Sequence, residues 1–142
     1  MDCETTVVVP ASADRVWDRW TDVERWPEWN PMCRSATVDP GRAEGARMRL
    51  ELVHPRGRSF ITAPVWEELD APRRARWAAR AAGLRAEVVS VLSPEEDGTR
   101  LTVTAAAHGA MAFTYRLVMR PRVQAELHTR MLNALVASFA DA

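Results

Sequence analysis

Hydrophobic and polar residues fall into short alternating runs along most of the chain and into one long helical pattern at its end. From about Met111 to Ala142 apolar positions recur at roughly 100° per residue. Val123, Gln124, Leu127, His128, Met131, Leu132, Ala134, Leu135 and Phe139 share one face, with Glu126, Thr129, Arg130 and Asn133 on the other. So wide an apolar face suits a helix lying on a large surface. Gln124 and His128, four residues apart near the middle of that face, need protein partners or a ligand. Pro121 within the run predicts a kink.

The alternating runs predict strands. Thr5 to Val9 is β-branched and is ended by Pro10. Ser12 then stands where a helix N-cap belongs, with Asp14 in the first turn, and Val16, Trp17, Trp20 and Val23 make a short amphipathic helix. That helix closes at Trp26-Pro27-Glu28-Trp29-Asn30-Pro31. A strand over Ala36 to Asp39 precedes the clearest alternation, Ala46, Met48, Leu50 and Leu52 against Arg47, Arg49 and Glu51. His54 keeps the inner parity as this strand runs into Pro55-Arg56-Gly57. Phe60 to Leu69 is the next strand; Pro64 places a bulge or an edge in it and leaves its inward parity open. Strands Arg74 to Ala81, Leu84 to Leu92 and Leu101 to Ala107 follow, joined at Gly83 and at Asp97-Gly98.

The order is strand, one or two short helices, six antiparallel strands and a long helix, an α+β domain spanning residues 1–142. Each legible sheet face is apolar on one side only, and the C-terminal helix is the element long enough to cover it. Four of the six tryptophans lie between positions 17 and 29. They plug one end of the core, and Trp29 or Trp26 also qualifies as a pocket wall. Ala79, Ala81, Ala86, Ala105 and Ala107 recur on inner faces. Small residues there let the helix approach closely or leave a void. Gln124, His128, Ser90 and His54 on those faces favour the void, since dry packing would strand each at a cost of about 1–3 kcal/mol. Trp29, Met48, Leu50, Trp66, Trp77, Val88, Val103, Val123, Leu127 and Met131 complete the expected lining.

Composition narrows the function. Nineteen basic residues, all arginine, balance nineteen acidic ones. No overall field draws the chain to nucleic acid, and a catalytic lysine or Schiff base is excluded. Arg74, Arg76 and Arg80 alternate with Trp77, Ala79 and Ala81, the pattern of a solvated strand face rather than of a nucleic-acid patch. No apolar run is long enough to span a bilayer, and no leader pattern opens the chain, so a cytoplasmic protein is expected. Cys3 and Cys33 read as two reduced thiols. The cysteines and histidines show no metal-ligand spacing, so neither metal nor cofactor is expected.

Several spaced segments resemble the START-related, helix-grip (SRPBCC) superfamily, in its polyketide cyclase/dehydrase-like branch. They are Pro10 to Trp17 at the strand-to-helix entry, Asp22 to Pro31, Leu69-Asp70-Ala71-Pro72-Arg73-Arg74 with Trp77, and Gly98-Thr99-Arg100-Leu101. The resemblance covers essentially the whole chain. It implies a curved seven-stranded antiparallel sheet gripping the long helix around an apolar cavity. Members include aromatase/cyclases, lyases, lipid and hormone carriers and co-chaperone domains, and no universal catalytic motif carries over position by position.

Two functions follow as expectations. The first is a biosynthetic, lyase-type enzyme that closes rings in a polyketide intermediate by aldol chemistry and dehydration. His128 would be the base, Gln124 a donor beside it, and Tyr115, His54 or Arg120 further donors. An acyl carrier protein is the partner that would deliver such a substrate to a monomer or homodimer. The alternative is a carrier that holds a hydrophobic metabolite or lipid without altering it. A protein-interaction domain has less support, because no exposed apolar stripe is evident in the sequence.

Overall fold

The computed structural model describes residues 2–140. One antiparallel sheet is built from β1 (Cys3–Val9), β2 (Cys33–Asp39), β3 (Arg47–Val53), β4 (Ser59–Thr62), β5 (Val65–Asp70), β6 (Arg74–Ala81), β7 (Leu84–Glu95) and β8 (Gly98–His108). Its order is β1-β8-β7-β6-β5-β3-β2, seven positions, with β4 also paired to β3. β4 and β5 are two pieces of the single strand expected over Phe60 to Leu69. Ala63-Pro64 separates them because proline has no N–H to continue the ladder; its carbonyl still accepts from the Met48 amide at 2.8 Å. A second irregularity between Trp66 and Glu68 shifts the register against β6. Trp66 is fully buried before that shift and Leu69 packs on the core after it, which is why one parity does not hold through the strand.

Between β1 and β2 lie α1 (Ala13–Thr21) and a 3-10 turn over Val23–Glu28. Ser12 caps α1, its hydroxyl accepting from the Arg15 amide at 3.4 Å. Val16, Trp17, Trp20 and Thr21 form the buried face. The expected C-terminal helix is divided into α2 (Ala112–Val118) and α3 (Pro121–Ala140). Pro121 does not kink a continuous helix. It opens a new one, at the position where its fixed φ and missing N–H cost least, and it disfavours helical backbone at Arg120. The end of the expected helix, Asp141-Ala142, lies outside the described residues.

Five tryptophans tie the helical segment to the sheet. Ring centroids lie 4.9 Å apart for Trp20 and Trp26, 6.1 Å for Trp26 and Trp29, 5.7 Å for Trp26 and Trp77, and 5.1 Å for Trp77 and Trp66. These tilted and edge-on contacts are the favoured aromatic geometries. Trp20 Nε1 donates to Ser90 Oγ at 2.9 Å, and Trp26 Nε1 to the Trp20 carbonyl at 2.9 Å. Toward the β7–β8 hairpin, Thr99 Oγ1 donates to the Ala11 carbonyl at 2.8 Å.

On the outer face the arginines of β6 and β7 form an ion network, as the alternation implies. Glu67 pairs with Arg76, Arg80 and Arg85, and Glu87 pairs with Arg85 and His108. Burial works to raise the Glu67 pKa, but hydrogen bonds from Arg80 and Arg85 outweigh it and hold the carboxyl below its ordinary value.

Gly98 opens β8 with φ +148, and a Cβ there would overlap the Val9 carbonyl oxygen. Gly98→Ala is therefore expected to destabilise the fold by about 2 kcal/mol or more. Urea unfolding against wild type measures it; an unchanged midpoint would show that the β1 end is loosely held.

Candidate functional site

The register of the sheet sets out the inner face as cross-strand rows. One row runs Trp66, Trp77, Val88, Ala105 and Cys3. The next, toward the β6–β7 hairpin, is Ala79, Ala86 and Ala107. In the opposite direction Ala75, Ser90 and Val103 lead into the tryptophan-packed end. The three alanines of the second row form a floor without bulk.

α3 turns Leu127, His128, Met131, Leu132, Leu135 and Phe139 into the interior. Its closest approach is to the edge strand β1, not to the central strands. The sheet is therefore covered unevenly. Met48, Leu50, Trp66, Ser90, Val103, Ala105, Leu127, His128 and Met131 are buried, whereas Trp77, Ala79, Val88, Tyr115, Val123 and Gln124 are half-buried. Ala86, Leu84 and Met119 are half-buried as well. The inner face of β6 and β7 toward their hairpin thus carries half-buried apolar residues, as does the first turn of α3.

The expected polar groups separate into two sets. Ser90 is occupied by Trp20 within the core. His54 belongs to the β3–β4 turn, where its Nδ1 accepts from the Arg56 amide at 3.1 Å. Arg120 is exposed between the two helices. Trp29 packs on Trp20 and Trp26 and lines two outer clefts, of about 450 and 560 Å³, between the 3-10 turn and the end of α3. The first cleft carries three arginines and three carboxylates and suits no apolar ligand. Tyr115 sits near the start of β1; burial raises its pKa, and the charges of Asp2 and Cys3 add to the shift.

Among the described residues five buried side-chain polar atoms lack a hydrogen-bond partner: Trp66 Nε1, His128 Nδ1, Trp29 Nε1, Asn30 Nδ2 and Arg76 Nε, the last still ion-paired with Glu67 at 3.3 Å. Asn30, read from the sequence as a turn residue alone, uses its Oδ1 to accept from the Met32 amide at 3.0 Å. An asparagine following a tryptophan-rich run was the signal available for it. The indole and amide groups are donors, and each orphan costs about 1–3 kcal/mol unless something accepts from it.

Burial alone pushes the His128 pKa down to about 4. The imidazole is therefore neutral at pH 7 with a lone pair to offer, but it has no carboxylate to strengthen it as a base. Below about pH 6.5 the unfolded chain takes up a proton that the native site refuses until about pH 4. Stability thus falls with acidification through that window, by roughly 3 kcal/mol in total, and the loss stops below it. His128→Gln should flatten the decline by about 1.4 kcal/mol per pH unit within the window. Urea midpoints compared at pH 7 and about pH 5 check this, and parallel declines in both proteins would refute it.

Comparison with known proteins gives this arrangement a family setting. The polyketide cyclase / dehydrase and lipid transport family model matches residues 9–136. No curated protein matches the chain in sequence. Among solved structures, a START superfamily protein from Mycobacterium smegmatis is 19% identical with a TM-score of 0.76, the match covering 97% of this chain and 96% of that one. The di-domain ARO/CYC StfQ from the steffimycin biosynthetic pathway is 17% identical with a TM-score of 0.75 over 97% of this chain. The di-domain ARO/CYC BexL from the BE-7585A pathway is also 17% identical, with a TM-score of 0.75 over 98% of this chain. This chain spans only 50% of StfQ and 49% of BexL. At these identities the likenesses establish a START-like fold, and the match of the family model over most of the sequence places the chain in the polyketide cyclase / dehydrase and lipid transport family.

Proposed function

We propose that this protein binds a largely apolar small molecule bearing carbonyl or hydroxyl oxygens, in the groove between β6–β7 and the first turns of α3. The observation that carries the reading is the partly covered inner face: half-buried Ala79 and Ala86 beside buried Ala107, flanked by half-buried Trp77, Val88, Val123 and Gln124. An apolar wall with few polar groups is the usual make-up of a ligand pocket. The orphan donor of Trp66, one strand beyond Trp77, supports a ligand with acceptor oxygens. The free thiols Cys3 and Cys33 accord with a cytoplasmic setting.

Ring closure and dehydration of a polyketide-type intermediate is the chemistry that the family and the ARO/CYC neighbours support. On that reading the neutral His128 removes a proton alpha to a carbonyl, and Gln124 or Tyr115 donates to the carbonyl oxygen. The balance is that of an aldol addition: a carbon–carbon bond forms, the proton passes through His128 to the new alkoxide, and water leaves afterwards. An acyl carrier protein would present such a substrate. A second reading, binding without chemistry, is favoured by the pKa of about 4 at His128, since an efficient base stands nearer the working pH.

One experiment separates these readings. Titration with a polycyclic aromatic polyketide should quench tryptophan fluorescence through Trp77, and Trp77→Phe should remove most of the signal. Absence of binding by any tested polyketide, fatty acid or sterol would contradict the groove assignment. If a reactive poly-keto substrate is turned over, His128→Gln should lower kcat at least about a hundredfold with KM little changed. Binding without product supports the carrier.

A further inference from the structure

Seven large apolar side chains are exposed among the described residues, and four of them fall within eight positions: Met111 45%, Phe113 72%, Leu117 59% and Val118 81%. They occupy the half of α2 turned away from β7 and β8, with exposed Thr114 among them, while Ala112, Tyr115 and Arg116 face the protein. The expectation that no apolar stripe is exposed fails here. These residues read from the sequence as the start of one continuous helix with no face assigned to them, and they fall instead on a separate helix, α2.

α2 is firmly held in this orientation. The Met111 amide donates to the Gly83 carbonyl at 2.8 Å. Arg116 pairs with Asp2 at 2.9 Å and donates to the Ala107 carbonyl at 2.7 Å. The apolar half is thus presented outward by fixed contacts, at the end of the sheet where the groove opens.

Charge identifies what covers it. Although the chain is neutral overall, no acidic residue occurs between Asp97 and Glu126. Arg120 and Arg122, directly after α2, are exposed and make no ion pair among the described residues. A second copy seated on this face would offer these arginines no carboxylate from the same segment, since residues 98–125 carry none, so charge does not favour self-association. Protruding apolar side chains on a short helix, with cations beside them, match instead the interface of a bilayer with anionic headgroups.

We propose that α2 with Arg120 and Arg122 is a docking surface for an anionic lipid bilayer, seated so that the mouth of the groove faces the membrane. Phe113, Leu117 and Val118 enter the headgroup–acyl boundary, and the two guanidinium groups meet lipid phosphates. The proposal goes beyond ligand binding and is tested without any ligand.

The test is co-sedimentation with vesicles of phosphatidylcholine plus phosphatidylglycerol, against vesicles of phosphatidylcholine alone. Wild type should associate with the anionic vesicles and be released by salt. Phe113→Ser with Leu117→Ser should weaken association at least about tenfold. Neutralising Arg120→Gln and Arg122→Gln should weaken it roughly fivefold per arginine. Unchanged unfolding midpoints would confirm that these surface variants fold. Failure of wild type to sediment, equal sedimentation with both vesicle types, or a concentration-dependent dimer dissolved by the Phe113 and Leu117 changes would each overturn the proposal. Loss of ligand binding in the Ala86→Leu protein with vesicle association intact would separate failure of the groove from failure of this surface.

Discussion

The contact on which the rest of the structure depends is the tryptophan chain from the 3-10 turn to the middle of the sheet. Trp29, Trp20, Trp26, Trp77 and Trp66 follow one another at centroid spacings between 4.9 and 6.4 Å. Rings of this size bury about 150–250 Å² each, so they dominate the core at that end. They also act as a spacer. The Trp20–Ser90 and Trp26–Trp20 hydrogen bonds fix the rings in depth as well as laterally. α1 and the 3-10 turn are therefore held against one end of the curled sheet by rigid, oriented groups, not by interchangeable aliphatic ones.

Bulk at one end explains openness at the other. Past Trp77 and Val88 the inner rows change to alanine, while α3 leans on β1 and leaves β6 and β7 partly uncovered. A sheet curled around a helix cannot close on small side chains when large ones hold it apart a few residues away. The floor of small residues and the orphan indole of Trp66 follow from one distribution of side-chain volume. Cores are normally packed to crystal density and their polar groups paired. A ligand bound on this face, as proposed, would cover the half-buried alanines and give the orphan indole an acceptor.

Local patterns reached most of the fold. The alternation of Ala46, Met48, Leu50 and Leu52 predicts the buried face of β3, and all four are buried. Ser12 caps α1, and the buried residues of α3 lie on the face read at helical spacing. What escaped was set by long-range partners. Nothing near Ser90 in sequence announces an indole seventy positions earlier, so its hydroxyl looked available to a ligand. His54 holds the expected parity yet is used by its own turn, because the strand ends at Val53. The helix face beyond Pro121 was legible, but the break before it was not. Periodicity continues through a proline even when the axis does not, and the exposed half of α2 was lost in that continuity.

Whether the alanine rows floor an open groove or a closed core is decided by adding bulk to the floor. Ala86→Leu places three extra carbons between Ala79 and Ala107. In an open groove the unfolding free energy stays within about 1 kcal/mol of wild type while ligand binding is lost, because the added side chain takes space meant for a ligand. Destabilisation of about 1–3 kcal/mol, the ordinary cost of overpacking a filled interior, would contradict it.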